Sequence, residues 1–351
     1  MRGTIGRVNE SMVTIREVAK AANVSTGTVS RAFNGYPDIS EETKTKIFDI
    51  ANELGYAPNV NARSLSSKVS NNIGFIVSGF LESDRRDGFV IQMLKGIYGY
   101  ATKHSVEVAL YTLEAEQQKT KTYEMFCAEH SIFGAILSGV ATNDPYFTEL
   151  VKSGMPCVLI DVYIRGEGLG CITIDNVQAA SDVAQYLIDR NHRDIVVVQG
   201  KKTAEVNNFR IAGIYSTFSK NGLELSRDQI LTCDFSETKS YCEVTAYLKK
   251  YKKTKNTAFL CLSDIMALGT MRAIKDQGYS IPEDFSVIGF DNIPIAEYTT
   301  PALTSVDQDR KEMGYQAAKL LNEMRKNPMK TSCVYVPYKL VERDSVRTLE
   351  K

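Results

Sequence analysis

The feature that most narrows the fold is a change of rhythm at Ile73. From there on, short apolar runs alternate with longer stretches of helical periodicity, the pattern of a parallel sheet wrapped by helices. Residues 72–78 read as a strand, 90–103 as a helix and 106–112 as a strand. Residues 117–129 follow as a helix, 134–137 as a strand, 144–153 as a helix and 157–160 as a short strand. A second set is expected to begin with a strand at 171–174 and to run through strands at 194–199, 229–233, 257–262 and 286–289. Two sets predict two α/β lobes. Ligands in such folds sit at the carboxyl ends of the strands, and a cleft between lobes is the first place to look for one.

Before this region the signals are helical. Thr14 with Glu17 three residues later is a capping box for a helix over 14–23. Val24-Ser25 makes a tight turn, with Asn23 where positive φ is needed. Ser25 caps a second helix from 26 to about 33. Ala19 is small where the two helices cross, and Val24 and Val29 fill the space between them. After Pro37, Ser40 caps a third helix over 41–54, which ends at Gly55. This is helix, turn, helix, although any small three-helix bundle would share the outline. Residues 58–72 are a polar connector in which 59–66 can form about two helical turns, too few to be stable alone.

Charge does not decide the matter. The chain holds 42 Lys+Arg and 42 Asp+Glu, and residues 12–68 carry seven basic against six acidic side chains, a poor footprint for nucleic acid. Position has to do what bulk charge does not. No apolar run reaches the roughly 20 residues of a membrane helix, and residues 1–11 lack the apolar core of a signal peptide. Seven scattered cysteines with no C-x-x-C pair predict reduced thiols and a cytoplasmic protein. The three histidines have no metal-ligand spacing. The glycine-rich stretch at 166–170 fits neither dinucleotide nor P-loop spacing, and no Ser–His–Asp or Cys–His set is visible. No cofactor and no enzymatic activity are expected.

Longer stretches carry more. V-S-T-G-T-V-S-R at 24–31, Asn34-Gly35, L-G-Y-A-P-N at 54–59 and A-R-S-L at 62–65 are followed by I-G-F-I-V at 73–77, V-L-I-D at 158–161 and I-D-N at 174–176. F-R-I-A-G at 209–213, S-D-I-M-A-L-G at 263–269, I-P-E-D-F-S-V-I-G-F-D-N at 281–292 and T-P-A-L-T-S-V at 300–306 complete the set. Through these stretches the whole chain resembles the LacI/GalR family of transcriptional regulators. The resemblance implies an all-α helix-turn-helix headpiece over 12–57, a hinge helix and linker over 58–70, and an α/β two-lobed, periplasmic-binding-protein-like (type I) effector core over 71–345. The N-lobe would take about 71–174 and 307–332, the C-lobe about 175–306 and 333–345. It further implies a homodimer on palindromic double-stranded operator DNA, without membrane attachment, repressing carbohydrate-utilisation genes under a small-molecule effector. Met12 is the expected translation start. A dimer rather than a tetramer is expected, since no leucine heptad follows Arg343.

The same resemblance distributes roles. Thr26 and Gly27 take two base-reading positions and Arg31 the third, where it could bond a guanine bidentately; Gly27 has no side chain to read with and permits close approach instead. Ser25, Thr28, Ser30, Thr14 and Asn34 suit phosphates, which position without specifying. In the hinge, Asn59 and Ala62 lead to Leu65, which would wedge into the minor groove; a leucine packed on the core is the plainer reading. In the cleft it places Asp161, Arg210, Ser263, Asp291 and Gln308, with Phe89 and Phe235 as aromatic walls. Carboxylates accept from paired hydroxyls, a guanidinium donates as a fork, and aromatic faces cover the apolar side of a sugar ring. The effector expected is a neutral or weakly charged mono- or disaccharide, with a purine as the alternative. Asp264 and Asp175 read as helix N-caps, Asp291 as either ligand or local cap. Residues 84–88, with Arg85 and Arg86, read as a solvated insertion. The rival readings are a transport-type sugar-binding protein without DNA function, an enzyme, and a regulator of the same family that answers to a protein partner.

Overall fold

Local capping chemistry starts the first helices where the sequence predicts them. The Thr14 backbone N–H and hydroxyl donate to the Glu17 carboxylate at 2.6 and 2.8 Å, which opens α1 (Ile15–Ala22) and holds the Glu17 carboxyl below its ordinary pKa. Asn23 ends α1 at φ 55°. Ser25 Oγ then accepts from the Thr28 N–H at 3.0 Å to open α2 (Thr26–Phe33). Ser40 caps α3 (Glu41–Leu54) and Gly55 closes it at φ 68°. Val18, Ala19, Ala22, Val29, Ala32, Ile47 and Ala51 make the core of these three helices, with Val24 packed against it. The computed structural model describes residues 13–33, 36–56, 71–78, 87–113, 115–140, 144–251, 255–327 and 330–350. The expectations placed on Met1–Met12, Asn34, Gly35, the hinge with Asn59, Ala62 and Leu65, and Arg85 and Arg86 lie outside the described residues.

The chain divides into Met1–Ser70, which holds those helices, and Asn71–Lys351. The second unit has two parallel sheets. The first joins β1 (Asn72–Val77), β2 (Glu107–Thr112), β3 (Ile132–Ser138), β4 (Cys157–Ile160), β5 (Leu169–Thr173) and β11 (Ser332–Tyr335) in the order β11-β5-β4-β3-β1-β2. Both faces are covered, as a parallel sheet requires. Ile73, Phe75 and Val158 face one core with α4 (Asp87–His104), whereas Ile76, Leu137 and Leu159 face a second with α6 (Tyr123–Glu129) and α7 (Pro145–Ser153). The second sheet joins β6 (Ile195–Gln199), β7 (Ile230–Thr232), β8 (Ala258–Cys261) and β9 (Ser286–Ile288) in the order β7-β6-β8-β9. Around it pack α8 (Asn176–Asp189), α9 (Glu205–Lys220), α10 (Glu237–Lys250) and α11 (Asp264–Asp276). β10 (Ser305–Asp307) and β12 (Lys339–Val341) pair antiparallel as a separate two-stranded sheet. The chain passes between lobes after β5, after β10 and after β11.

Three expectations are corrected. The helix expected over 117–129 is two pieces, α5 (Ala115–Gln118) and α6, because Thr122 accepts from the Met125 N–H at 3.1 Å and starts a new helix there. The strand that periodicity sets at the head of the second set, β5, pairs in register with β4 within the first sheet, where the N-lobe bounds of about 71–174 put it. Residues 333–335, assigned to the C-lobe, pair with β5 as the edge of the N-lobe sheet. One close approach positions the cleft. A Cβ on Gly96 of α4 would stand 1.9 Å from the Lys311 carbonyl oxygen, and one on Gly314 2.2 Å from that of Met93. Two glycines therefore let α12 (Arg310–Lys326) lie against α4 and bring its first residue to the lobe junction. Among the described residues no helix is long and apolar enough to cross a membrane.

Candidate functional site

On the headpiece, α2 buries Val29 and Ala32 and turns Thr26, Gly27 and Arg31 outward. The three base-reading candidates therefore share the exposed face of a short helix, with Thr28 and Ser30 half-buried at its margin. Their hydroxyls are already organised: Ser25 Oγ bonds Thr28 Oγ1 at 2.9 Å. The Thr14 hydroxyl is committed to Glu17, so its phosphate role would have to share that bond. Arg31 is ion-paired to Asp38 and lies 5.7 Å from the centre of the Tyr36 ring. Its side chain is 51% exposed. Exposed pairs are worth only about 0–1 kcal/mol, so the guanidinium can leave Asp38 cheaply. Asp38 is one of the six acidic side chains counted over residues 12–68.

In the core, Val77, Ser78, Ser138, Ile160 and Asp161 of the first lobe face Arg210, Phe235, Ser263 and Asp291 of the second across a cleft of about 590 Å³, a volume that suits a small molecule. Phe89 lines it as well. Asp161, at the end of β4, adopts φ 59° and accepts from Thr173 Oγ1 at 2.9 Å. Thr173 in turn accepts from Asn176 Nδ2 at 3.0 Å, and Asn176 Oδ1 accepts from Arg210 Nε at 2.9 Å. Arg210 Nη1 donates to the Leu262 carbonyl at 2.7 Å, and the guanidinium lies 3.7 Å over the Phe290 ring. Burial pulls its pKa down to about 10, against the pull of Asp291 and Asp161. Arg210 thus holds the cleft wall, and much of its donor capacity is spent on protein.

The residue the sequence reading missed is Arg310. Its Nη1 donates to Asp161 at 3.1 Å and its Nη2 to Asp291 at 2.7 Å, so one guanidinium joins carboxylates from opposite lobes. It lies 4.3 Å over the Phe89 ring, taking an aromatic face expected for ligand. Its buried Nε has no hydrogen-bond partner among the described residues. The floor of the cleft therefore reads acceptor, donor, acceptor: Asp161, Arg310, Asp291. Each carboxylate keeps acceptor capacity beyond its two protein bonds. Nothing local signalled this, because an arginine opening a helix ordinarily points to water.

Other assignments move. Gln308 is fully buried behind Asp291, to which its amide donates, and it does not line the cleft. Ser263, not Asp264, caps α11, accepting from the Met266 N–H at 3.3 Å. Asp264 is the first helical residue, fully buried, and accepts from Ser305 Oγ at 2.6 Å and the Ile293 N–H at 2.9 Å. Burial, with the charge of Asp291 added, pushes its pKa up to about 7. Asp175 does cap α8, through the Gln178 N–H at 2.9 Å. Asp291 bonds Arg310 and Gln308 rather than a local helix end. Phe235, at φ 58°, presses on Gly200, where a Cβ would stand within 2.1 Å of the ring. Lys201, Glu205, Asp234, Glu237 and Arg272 also line the cleft and add mixed charge.

Comparison with known proteins gives the family and the fold of both parts of the chain. Residues 14–59 match the bacterial regulatory proteins of the lacI family, and residues 184–346 match a periplasmic binding protein-like domain. Catabolite control protein A of Priestia megaterium is 31% identical over 337 residues, 95% of this chain and 99% of that protein. The HTH-type transcriptional repressor PurR of Aliivibrio salmonicida is 30% identical over 96% of this chain and 100% of its own length. Among solved structures, a Lac repressor dimer bound to operator and the anti-inducer ONPF superimposes with a TM-score of 0.83 at 25% identity, covering 96% of this chain and 100% of that one. A LacI family regulator from Enterococcus faecium with bound ribose has a TM-score of 0.67 at 25% identity, over 80% of this chain and 100% of that one.

Proposed function

Because the chain belongs to the LacI family of bacterial regulatory proteins, we propose that it is a sequence-specific DNA-binding repressor whose hold on a palindromic operator is set by a small effector in the core cleft. The observation that carries the reading is the pairing of two features in one chain: a capped helix-turn-helix with Thr26, Gly27 and Arg31 exposed, and a two-lobed cleft floored by Asp161, Arg310 and Asp291. Relatives named as repressors support the regulatory role. The operator-bound Lac repressor dimer supports DNA, effector and a second copy of the chain as partners. A transport protein without DNA function would have no use for the headpiece, and no catalytic function is indicated by these relatives.

The effector is a neutral polyol of mono- or disaccharide size, acting on carbohydrate-utilisation genes. Two carboxylates in the floor, with the Arg310 guanidinium between them and that of Arg210 in the wall, leave this part of the cleft near neutrality, which disfavours a strongly charged ligand. Alternating acceptors and donors match the hydroxyl edge of a sugar, and the ribose-bound relative supports that class. Titration calorimetry of the full chain against monosaccharides, disaccharides and purine bases tests it. A sugar that binds at micromolar to millimolar affinity and shifts operator binding is expected; a purine as the sole ligand would overturn the effector class. Selection of bound sequences from random duplex DNA tests the operator, and recovery of no symmetric motif would overturn the DNA reading.

A further inference from the structure

Outside the cleft and the headpiece, one cluster of nucleophilic side chains stands out. Cys171 of β5 and Cys333 of β11 are direct register partners on neighbouring parallel strands. Register partners project to the same face of a sheet, and the two thiols lie close enough to shift each other's ionisation. Neighbouring strands lie about 4.7–4.9 Å apart, inside the Cα separation of about 4.4–6.8 Å that a disulfide spans. Cys171 is buried at 1% exposure, whereas Cys333, on the edge strand, is half-buried and reachable. The hydrogen bond to Cys171 pulls the Cys333 thiol down to about 7, and the same contact together with burial pushes Cys171 up. A partly exposed thiol whose ionisation is favoured, beside a partner held protonated, is the arrangement of an attacking and a resolving cysteine. The other buried cysteines differ: burial raises Cys127 and Cys233 to about 12, which leaves them inert thiols.

We propose that Cys171 and Cys333 form a reversible disulfide on exposure to a hydroperoxide. The Cys333 thiolate attacks the terminal peroxide oxygen, the O–O bond breaks, and the alkoxide leaves and takes a proton as alcohol, or as water when the oxidant is hydrogen peroxide. The sulfur is oxidised by two electrons to sulfenic acid as the peroxide is reduced. Cys171 sulfur then attacks the Cys333 sulfur, the S–O bond breaks, and the departing hydroxide leaves with the Cys171 proton as water. Two thiols and one hydroperoxide give one disulfide, one alcohol and one water, and a dithiol reductant reverses the change.

The place matters as much as the chemistry. β5 runs into the passage at Ile174–Asp175 and β11 into the passage at Val336–Tyr338, and the Val336 N–H donates to the Thr173 carbonyl at 2.8 Å. A cross-link between these strands staples two of the passages between lobes and stiffens the hinge on which effector-driven closure turns. This consequence rests on the functional reading above; the disulfide itself does not.

The test uses the full-length Cys242→Ser variant, so that the exposed Cys242 cannot join two chains. It is treated with hydrogen peroxide, alkylated without reduction, digested and mapped by mass spectrometry. The expected product is a cross-linked pair of peptides holding Cys171 and Cys333, released by dithiothreitol and absent when Cys333→Ser or Cys171→Ser is added. Both cysteines unreacted, or Cys333 carried to sulfinic or sulfonic acid in the presence of Cys171 without a cross-link, would overturn the proposal. A second arm measures amide hydrogen exchange at 172–176 and 334–338, where oxidation is expected to slow exchange several-fold. Unchanged exchange in a fully cross-linked sample overturns the hinge consequence. Neither arm needs operator or effector, so failure here is distinguishable from failure of the repressor reading.

Discussion

At the scale of single residues, two side chains are held by partners that the sequence keeps at a distance. Arg31 faces outward on α2, but rests on Asp38. Replacing Arg31 with Ala is expected to cost about 1–3 kcal/mol of operator binding and to relax preference at one position per half-site. Asp38→Ala is expected to tighten binding by up to about fivefold, because only an exposed pair has to be broken. Fluorescence anisotropy on matched and single-substituted operators reads both, and wild-type behaviour of both variants would place the base-reading face elsewhere. Asp264 gives a pH signature. Its folded pKa lies above its ordinary value, about 7 against 3.8, so its contribution to stability is full below pH 4 and is lost as pH rises to about 7. The stability of wild type relative to Asp264→Asn should therefore fall between pH 4 and pH 7 and level off above it. Urea unfolding at a series of pH values measures this; a difference that rises with pH would contradict the buried, protonatable carboxyl.

At the scale of elements, helix crossings set where functional groups arrive. Gly96 sits inside α4, where alanine would ordinarily gain about 0.5–1 kcal/mol from helix propensity. Here its Cβ would collide with the Lys311 carbonyl. Gly96→Ala is thus expected to destabilise the core by about 1–3 kcal/mol, opposite in sign to the propensity. Chemical unfolding gives the sign directly, and a stabilised variant would mean that α12 does not lie so close. The crossing has a functional consequence, because α12 begins with Arg310: a shift of its first turn would draw the guanidinium away from Asp161 and Asp291.

At the scale of the whole molecule, Arg310 ties the lobes through the place a ligand would occupy. In Arg310→Met the carboxylates of Asp161 and Asp291, 14% and 16% exposed, lose their shared counter-ion. Removing one partner of a buried ion pair costs about 3–5 kcal/mol, and the acceptor–donor–acceptor floor is lost with it. The variant is expected to unfold earlier and to lose the effector's influence on operator binding, while its DNA affinity without effector stays near wild type because the headpiece helices have their own core. The influence lost is of the order of 1–3 kcal/mol, the usual coupling between two sites, and an effector can move the equilibrium only by its differential affinity for the two arrangements. Anisotropy titrations with and without effector, beside unfolding curves, check it. An unaltered response in a stable variant would show that the bridge is not part of the effector site.

What the sequence determined by itself was whatever depends on near neighbours in the chain. Thr14 with Glu17, Asn23 at positive φ, Ser25, Ser40 and Gly55 act within about four residues of themselves, so the helix-turn-helix is legible in the sequence. Alternating apolar runs fixed the α/β class, since period and burial are read along one strand at a time. Which sheet a strand joins is decided by its lateral partners: β5 reads like the start of a new lobe but hydrogen-bonds β4, and β11 is separated by the whole second lobe from the strand it pairs with. The cleft divides in the same way. Motifs nominated Asp161, Arg210 and Asp291, whereas Arg310 reaches a carboxylate 149 residues earlier in the chain, and Gln308 turned out to stand behind the floor rather than in it. An ion pair across two lobes has no sequence period, because its geometry exists only once both sheets have formed and α12 has been laid against α4 by Gly96 and Gly314.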